Sequence, residues 1–182
     1  LGTNGAGKST VFKVVAGLLP PTGGEVTVDG VRIDGLRPDE IATRGLALMP
    51  GGRGVFPTMT VAENLRLACW QVRSDRVRSQ EAVTEAIEMF PILDERADQM
   101  AGNLSGGEQQ QLSLAMAFIT KPKVLLIDEL SLGLAPTIVG MLCDKVREIN
   151  ATGTTVVVVE QSVNVAMQLA RRAVFLEKGA VR

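Results

Sequence analysis

The chain has no histidine, no tyrosine and a single tryptophan in 182 residues. Without imidazoles, any His-based catalytic triad and any His-ligated metal are excluded. With Trp70 the one indole, few side chains remain that could stack on a flat base such as adenine. Cysteine is scarce too. Cys69 and Cys143 lie far apart with no other ligand types beside them, which reads as two reduced thiols and neither a disulfide framework nor a metal site. No sign of charge dominates: 19 basic against 20 acidic residues leave a net charge of −1. Nucleic-acid binding usually needs a basic face, so the balance argues against such a partner. No apolar run approaches the ~18–20 residues of a membrane span, and nothing at the N-terminus has the form of a signal peptide. Work at a membrane would therefore be that of a peripheral subunit.

What is plentiful is apolar: 46% of the residues are hydrophobic, enough to bury a core as one domain or one domain with a subdomain. Gly2-Thr3-Asn4-Gly5-Ala6-Gly7-Lys8-Ser9 has the spacing of a phosphate-binding loop. Its glycines let successive backbone N–H groups turn inward around a phosphate, its lysine reaches the β/γ oxygens, and its serine hydroxyl ligates Mg²⁺. A helix expected over 8–18 adds its positive dipole end to the same anion site. The alternative is a chance glycine-rich turn before a helix. Such a loop joins a buried strand to a helix, and Leu1 is not an initiator methionine. The reading therefore expects a truncated chain, whose other end, Glu177 to Arg182, stops within a strand–turn–strand.

Downstream, Pro20-Pro21-Thr22-Gly23-Gly24 is a turn-rich break. Strand patterns over 25–29 and 31–33 flank Asp29-Gly30, a hairpin signal. Pro38 suits the first turn of a short helix ending near Gly45, and 46–49 reads as a buried strand. Thr60 and Glu63 form a capping box for a helix expected to reach about Gln71. A charged amphipathic helix follows over 75–90, with Val83, Ala86, Ile87 and Phe90 at helical spacing. The stretch 60–120 thus reads as mostly helical and inserted between strands, ended by Pro122. Beyond it, strands are expected at 124–127, 154–159 and 173–177, with helices at 136–150 and 162–170. This alternation implies an α/β fold, a parallel sheet covered by helices.

The strand at 124–127 ends in Asp128-Glu129. In a parallel sheet, ligand chemistry gathers beyond the carboxyl ends of the strands. One carboxylate there can orient Mg²⁺ and its water while the other polarises an attacking water; the alternative is an acidic cap on the next helix. Leu104-Ser105-Gly106-Gly107-Glu108-Gln109 runs into the apolar-rich helix 112–119. It is a second helix start with a hydroxyl cap and glycines that expose N–H groups, hence a second anion site.

With these motifs the chain resembles, over nearly its whole length, the ATP-binding subunits of ABC transporters. Asp128 to Pro136, Val159-Glu160-Gln161-Ser162 and Gly52-Arg53-Gly54-Val55-Phe56-Pro57 look most like the subfamily serving branched-chain amino acid importers. The resemblance implies a P-loop NTPase (RecA-like) core at about 1–59 and 121–182, with a small antiparallel β element. The helical subdomain carrying the signature motif would occupy about 60–120. It also implies a head-to-tail dimer with ATP sandwiched between the phosphate loop of one subunit and the Ser-Gly-Gly motif of the other. Asn4, Gly5, Gly7, Lys8, Ser9 and Thr10 would hold phosphates and Mg²⁺ in cis. Ser105, Gly106, Gly107 and Glu108 would serve the partner's nucleotide. Asp128 would join Ser9 at Mg²⁺, Glu129 would be the general base, and Gln161 would stand where a histidine usually senses the γ-phosphate. Residues 131–134 would form a crossing loop that senses the opposite site.

By the same resemblance the partners are an identical or related ATP-binding subunit and transmembrane permease subunits, at the cytoplasmic face of the membrane. Phe56, Pro57 and Met59 are candidates for the permease docking surface, with packing between subdomains as the alternative. The pattern breaks at Gly51, where the family has a glutamine or glutamate after the proline, and at Leu130, where it usually has proline. Two other readings remain: a soluble ABC ATPase outside transport, and a regulatory ATP-binding module with weak hydrolysis.

Overall fold

The computed structural model describes residues 1–3, 5–52 and 54–182. Asn4, and Arg53 of the Gly52-Arg53-Gly54 string, lie outside the described residues. The first helix, α1 (Lys8–Val15), ends short of the expected Leu18. Gly17 takes a left-handed φ of 73°, and the N–H groups of Gly17 and Leu18 turn back to Val14 and Lys13 carbonyls at 3.0 and 2.8 Å. This is the double hydrogen bond of a Schellman stop. A Cβ at position 17 would also lie 2.7 Å from Ile41 Cδ1.

An antiparallel ribbon follows, β1 (Thr27–Val28) and β2 (Val31–Arg32). Asp29 and Gly30 both have positive φ, 51° and 75°, as a two-residue primed hairpin turn requires. Next come α2 (Pro38–Thr43), with proline in its first turn, and β3 (Leu46–Met49). The helical stretch then holds α3 (Val61–Ala68), α4 (Arg76–Met89), α5 (Ile92–Glu95) and α6 (Gly106–Phe118). The capping box at α3 forms as expected: Glu63 N–H donates to Thr60 Oγ1 at 3.1 Å, and Thr60 N–H to Glu63 at 2.7 Å. The α-helix gives way after Ala68 to a 3-10 turn over Cys69–Val72, so the stretch up to the expected end near Gln71 is helical but tightened in its last turn.

The chain closes with β4 (Val124–Asp128), α7 (Pro136–Ala151), β5 (Thr155–Val159), α8 (Val163–Leu169), β6 (Leu176–Glu177) and β7 (Ala180–Val181). The strand expected over 173–177 is reduced to β6, which pairs antiparallel with β7, while Leu1 exchanges backbone bonds with Val174 and Leu176. β3, β4 and β5 form a parallel sheet with β4 in the middle.

Alternation along β4 explains its continuous apolar run. Leu125 and Ile127 join a core with α3, α6 and α7, while Leu126 joins a second core with Phe12, Ile41 and Leu46. A strand covered on both faces needs no polar side. Cys69 and Cys143 are free and buried, one in the helical stretch and one on α7. This layering leaves the carboxyl ends of β3, β4 and β5 as a common edge, the place where ligand chemistry gathers in parallel sheets.

Candidate active site

At that edge the phosphate loop turns into α1. Gly5 and Gly7 have φ of 77° and 94°, left-handed values that a side chain resists and that turn the amides inward. Gly7 caps α1, so the helix N-terminus points at the loop's hollow. Lys8 is buried, and its ammonium donates to the carbonyls of Gly2 and Thr3 at 2.7 and 2.8 Å. Thr10, one residue beyond Ser9, is exposed. Ser9 reaches across to β4, its hydroxyl donating to Asp128 Oδ1 at 3.0 Å.

Two hard oxygen donors at hydrogen-bond range suit Mg²⁺, which keeps several waters and takes one or two protein oxygens plus substrate phosphates. Among the described residues no cluster of three or more His, Cys, Asp or Glu offers a fuller metal cage. Gly51 follows β3 beside the same carboxylate: a Cβ placed there would lie 3.3 Å from Asp128 Oδ2. Position 51, where the resemblance implies a long polar side chain, thus abuts the Asp128–Ser9 pair.

Glu129 stands next along the chain with φ 64°. A left-handed non-glycine residue costs of order 1–3 kcal/mol and persists only where the surroundings hold it. Three groups do so. Glu129 N–H donates to Val159 O at 3.0 Å. The Gln110 amide of α6 donates to the carbonyls of Glu129 and Leu130 at 3.1 and 3.2 Å. The buried Glu160 carboxylate accepts from Leu130 N–H, Ser131 N–H and Ser131 Oγ at 2.9, 3.0 and 2.9 Å. The Glu129 carboxylate itself receives a hydrogen bond from the Gln161 amide. Sequence reasoning assigned no role to Gln110 or Glu160, although Glu160 lies in the Val159-Glu160-Gln161-Ser162 string. The available signal for Glu160 was an acidic residue directly after an apolar strand whose last residue, Val159, is buried and pairs with Asp128.

The Ser-Gly-Gly group occupies a different place. Ser105 caps α6, accepting from Glu108 N–H at 3.3 Å, while Glu108 accepts from Ser105 N–H at 2.7 Å. Those Ser105 bonds, with Arg96 nearby, hold the Glu108 carboxyl below its usual range, so Glu108 is engaged in capping. Ser105 and Gly106 are exposed, and Gly107 is buried against Ile138, where a Cβ would come within 2.8 Å of Cγ2. Among the described residues no hydrogen bond or ion pair links Ser105, Gly106 or Gly107 to the phosphate loop. The fold therefore gathers Lys8, Ser9, Asp128, Glu129 and Gln161 along one edge and places the Ser105 helix start apart from it, with Ser105 and Gly106 exposed.

A family model described as ABC transporter matches residues 1–131. The chain belongs to the ABC transporter family. It is 40% identical over 181 residues to the high-affinity branched-chain amino acid transport ATP-binding protein BraG of Pseudomonas aeruginosa, with 100% of this chain and 77% of that one covered. Identity to the probable branched-chain amino acid transport ATP-binding protein LivF of Archaeoglobus fulgidus is 34% over 182 residues, covering 100% and 76%. Among solved structures, a nucleotide-free ATP-binding cassette from an ABC transporter matches the fold with a TM-score of 0.87 at 24% identity, over 99% of this chain and 76% of that one. A dimeric ATP-binding cassette in a post-hydrolysis state, bound to ADP and Pi, matches with 0.86 at 27% identity, over 99% and 80%. This ABC protein is thus a nucleotide-binding ATP hydrolase, the ATP-binding component of a transporter. No helix among its described residues is long and apolar enough to cross a membrane.

Proposed function

We propose that this ABC protein drives the import of branched-chain amino acids, working from the cytoplasmic face of the membrane as a peripheral partner of separate permease subunits. The observation that carries the reading is the 40% identity to BraG across the whole chain. A docking surface is available. Asn64, fully buried, bonds the backbone of Phe56 in both directions at 2.8 and 3.1 Å, and Phe56 itself is left 48% exposed. Pro57 is exposed beside it, Met59 half-buried. An aromatic ring held out on a fixed backbone suits an apolar contact with another subunit.

Two chains, identical or related, close around ATP, each supplying the phosphate loop of one site and the Ser105-Gly106-Gly107 helix start of the other. On binding, the Lys8 ammonium exchanges the Gly2 and Thr3 carbonyls for β/γ oxygens, while inward amides of Gly5 and Gly7 cradle the phosphates. Thr10, and Asn4 outside the described residues, complete that cradle. Ser9 and Asp128 would hold Mg²⁺, whose charge offsets that developing on the phosphate oxygens. Glu129 takes a proton from the attacking water as the water oxygen bonds to the γ-phosphorus and the bond to the β-bridging oxygen breaks, releasing ADP. Gln161 keeps the Glu129 carboxylate in place and offers its amide to the γ-phosphate. The helical stretch 60–120 presents Ser105 to the partner's nucleotide, and Glu108 supports that presentation by capping.

The reading is tested by reconstituting the full-length protein with its permease and binding-protein partners in liposomes. ATP-dependent uptake of labelled leucine, isoleucine or valine is expected. Uptake of some other solute class, with none of these three, would refute the assignment of substrate.

A further inference from the structure

Leu130 departs from the family pattern, and the structure shows a consequence. Where proline would offer no N–H, Leu130 N–H donates to Glu160 Oε1 at 2.9 Å. Ser131 N–H shares that oxygen at 3.0 Å, and Ser131 Oγ donates to Oε2 at 2.9 Å. Glu160 is 2% exposed, so these donors, and not water, satisfy it. Such a group is costly to bury without partners and firm once it has them.

We infer that Glu160 is a positioning residue for the general base, latching the backbone immediately after Glu129 through Leu130 and Ser131. The inference rests on the assignment of Glu129 as base. Glu129 sits in a left-handed conformation, φ 64°, which side-chain-bearing residues leave unless they are over-determined. Glu160 grips the N–H groups that follow it, and Gln110, on the helix that Ser105 begins, grips the carbonyls of Glu129 and Leu130. Among the described residues no hydrogen bond links either side chain to the phosphate loop; both act through the backbone that aims the carboxylate.

The latch needs acceptors on one side chain, not a charge. Glutamine at position 160 keeps Oε1 for both N–H groups and can donate from Nε2 to a turned Ser131 hydroxyl. Methionine has a similar length and offers neither.

In the full-length protein, Glu160→Met is expected to lower kcat about 10- to 100-fold, the scale of a misplaced catalytic group. KM for ATP and the nucleotide dissociation constant should stay within about twofold. Glu160→Gln should restore kcat to within about threefold of the parent. An unchanged kcat in Glu160→Met, or a Glu160→Gln variant as impaired as Glu160→Met, overturns the latch. Should Glu160→Met not fold, the double variant Leu130→Pro, Ser131→Ala carries the test: together the two changes delete two of the three donors to Glu160. Loss of kcat at unchanged KM then supports the latch, and unchanged kcat overturns it. Glu129→Gln, measured alongside, separates the two ideas. Retained turnover there removes the base assignment itself, whereas its loss together with an unaffected Glu160→Met removes only the latch.

Discussion

The Ser9 hydroxyl donates to Asp128 Oδ1 at 3.0 Å, joining the phosphate loop to the end of the central strand across 119 positions of sequence. The contact holds the two oxygens proposed for Mg²⁺ within hydrogen-bond distance of each other. Preorganisation of this kind removes ordering costs that would otherwise oppose binding.

Asp128→Asn should therefore act on Mg²⁺ more than on ATP. Asparagine keeps an acceptor for Ser9 but gives up the charge, and a charge-assisted contact is worth ~1.5–3 kcal/mol. The Mg²⁺ concentration for half-maximal ATPase should rise about 10- to 100-fold, with little change in melting temperature. A Mg²⁺ titration curve that superimposes on the parent's would remove Asp128 from the metal site.

Gly51 packs its backbone close to the same carboxylate. Its φ is not among the positive glycine values, so a side chain meets no backbone strain there. The 3.3 Å approach of a Cβ to Asp128 asks for an adjustment of only a few tenths of an ångström. Gly51→Gln should bring a carboxamide within reach of the Mg²⁺ and lytic-water region and speed hydrolysis by at most about 10- to 100-fold, the worth of one charge-assisted hydrogen bond. Unaltered ATPase rate and Mg²⁺ dependence would mean that the glycine was never a deficiency.

Gln161 donates to Glu129 and carries no titrating proton. The parent's rate profile should show no inflection between pH 6 and 7 from this position. Gln161→His should introduce one, since histidine ordinarily titrates near 6.5 and the Glu129 carboxylate would favour its charged form. A limb in that range already present in the parent, and unchanged in the variant, would count against the assignment.

Local chemistry was legible in the sequence where a few neighbouring residues decide the geometry. The Thr60–Glu63 box, the Asp29-Gly30 turn and the continuous apolar run of β4 each follow from a short string, and all three are present. The early end of α1 was less legible. Gly17 looked like an ordinary helix residue until its left-handed turn and its contact with Ile41 were seen. The grip on Glu129 was not legible at all. Gln110 lies 19 residues before it and Glu160 lies 30 residues after Leu130; Glu160 was visible only as part of the Val159-to-Ser162 string, with no role attached, and the parallel pairing of β4 with β5 brings it alongside. Leu130 in place of proline was visible as a departure. Its consequence, an extra donor, needed the acceptor's position.

The central claim is that each chain holds two separated halves of different nucleotide pockets, the phosphate-loop edge and the Ser105 helix start. Specific ATPase activity of the full-length protein across a dilution series, with and without Ser105→Arg, tests it most directly. The account predicts that activity per chain falls as dilution separates the dimer, and that Ser105→Arg, an exposed change far from Lys8 in sequence, lowers turnover at least about tenfold at every concentration. Specific activity that stays flat on dilution and is indifferent to Ser105→Arg would contradict it.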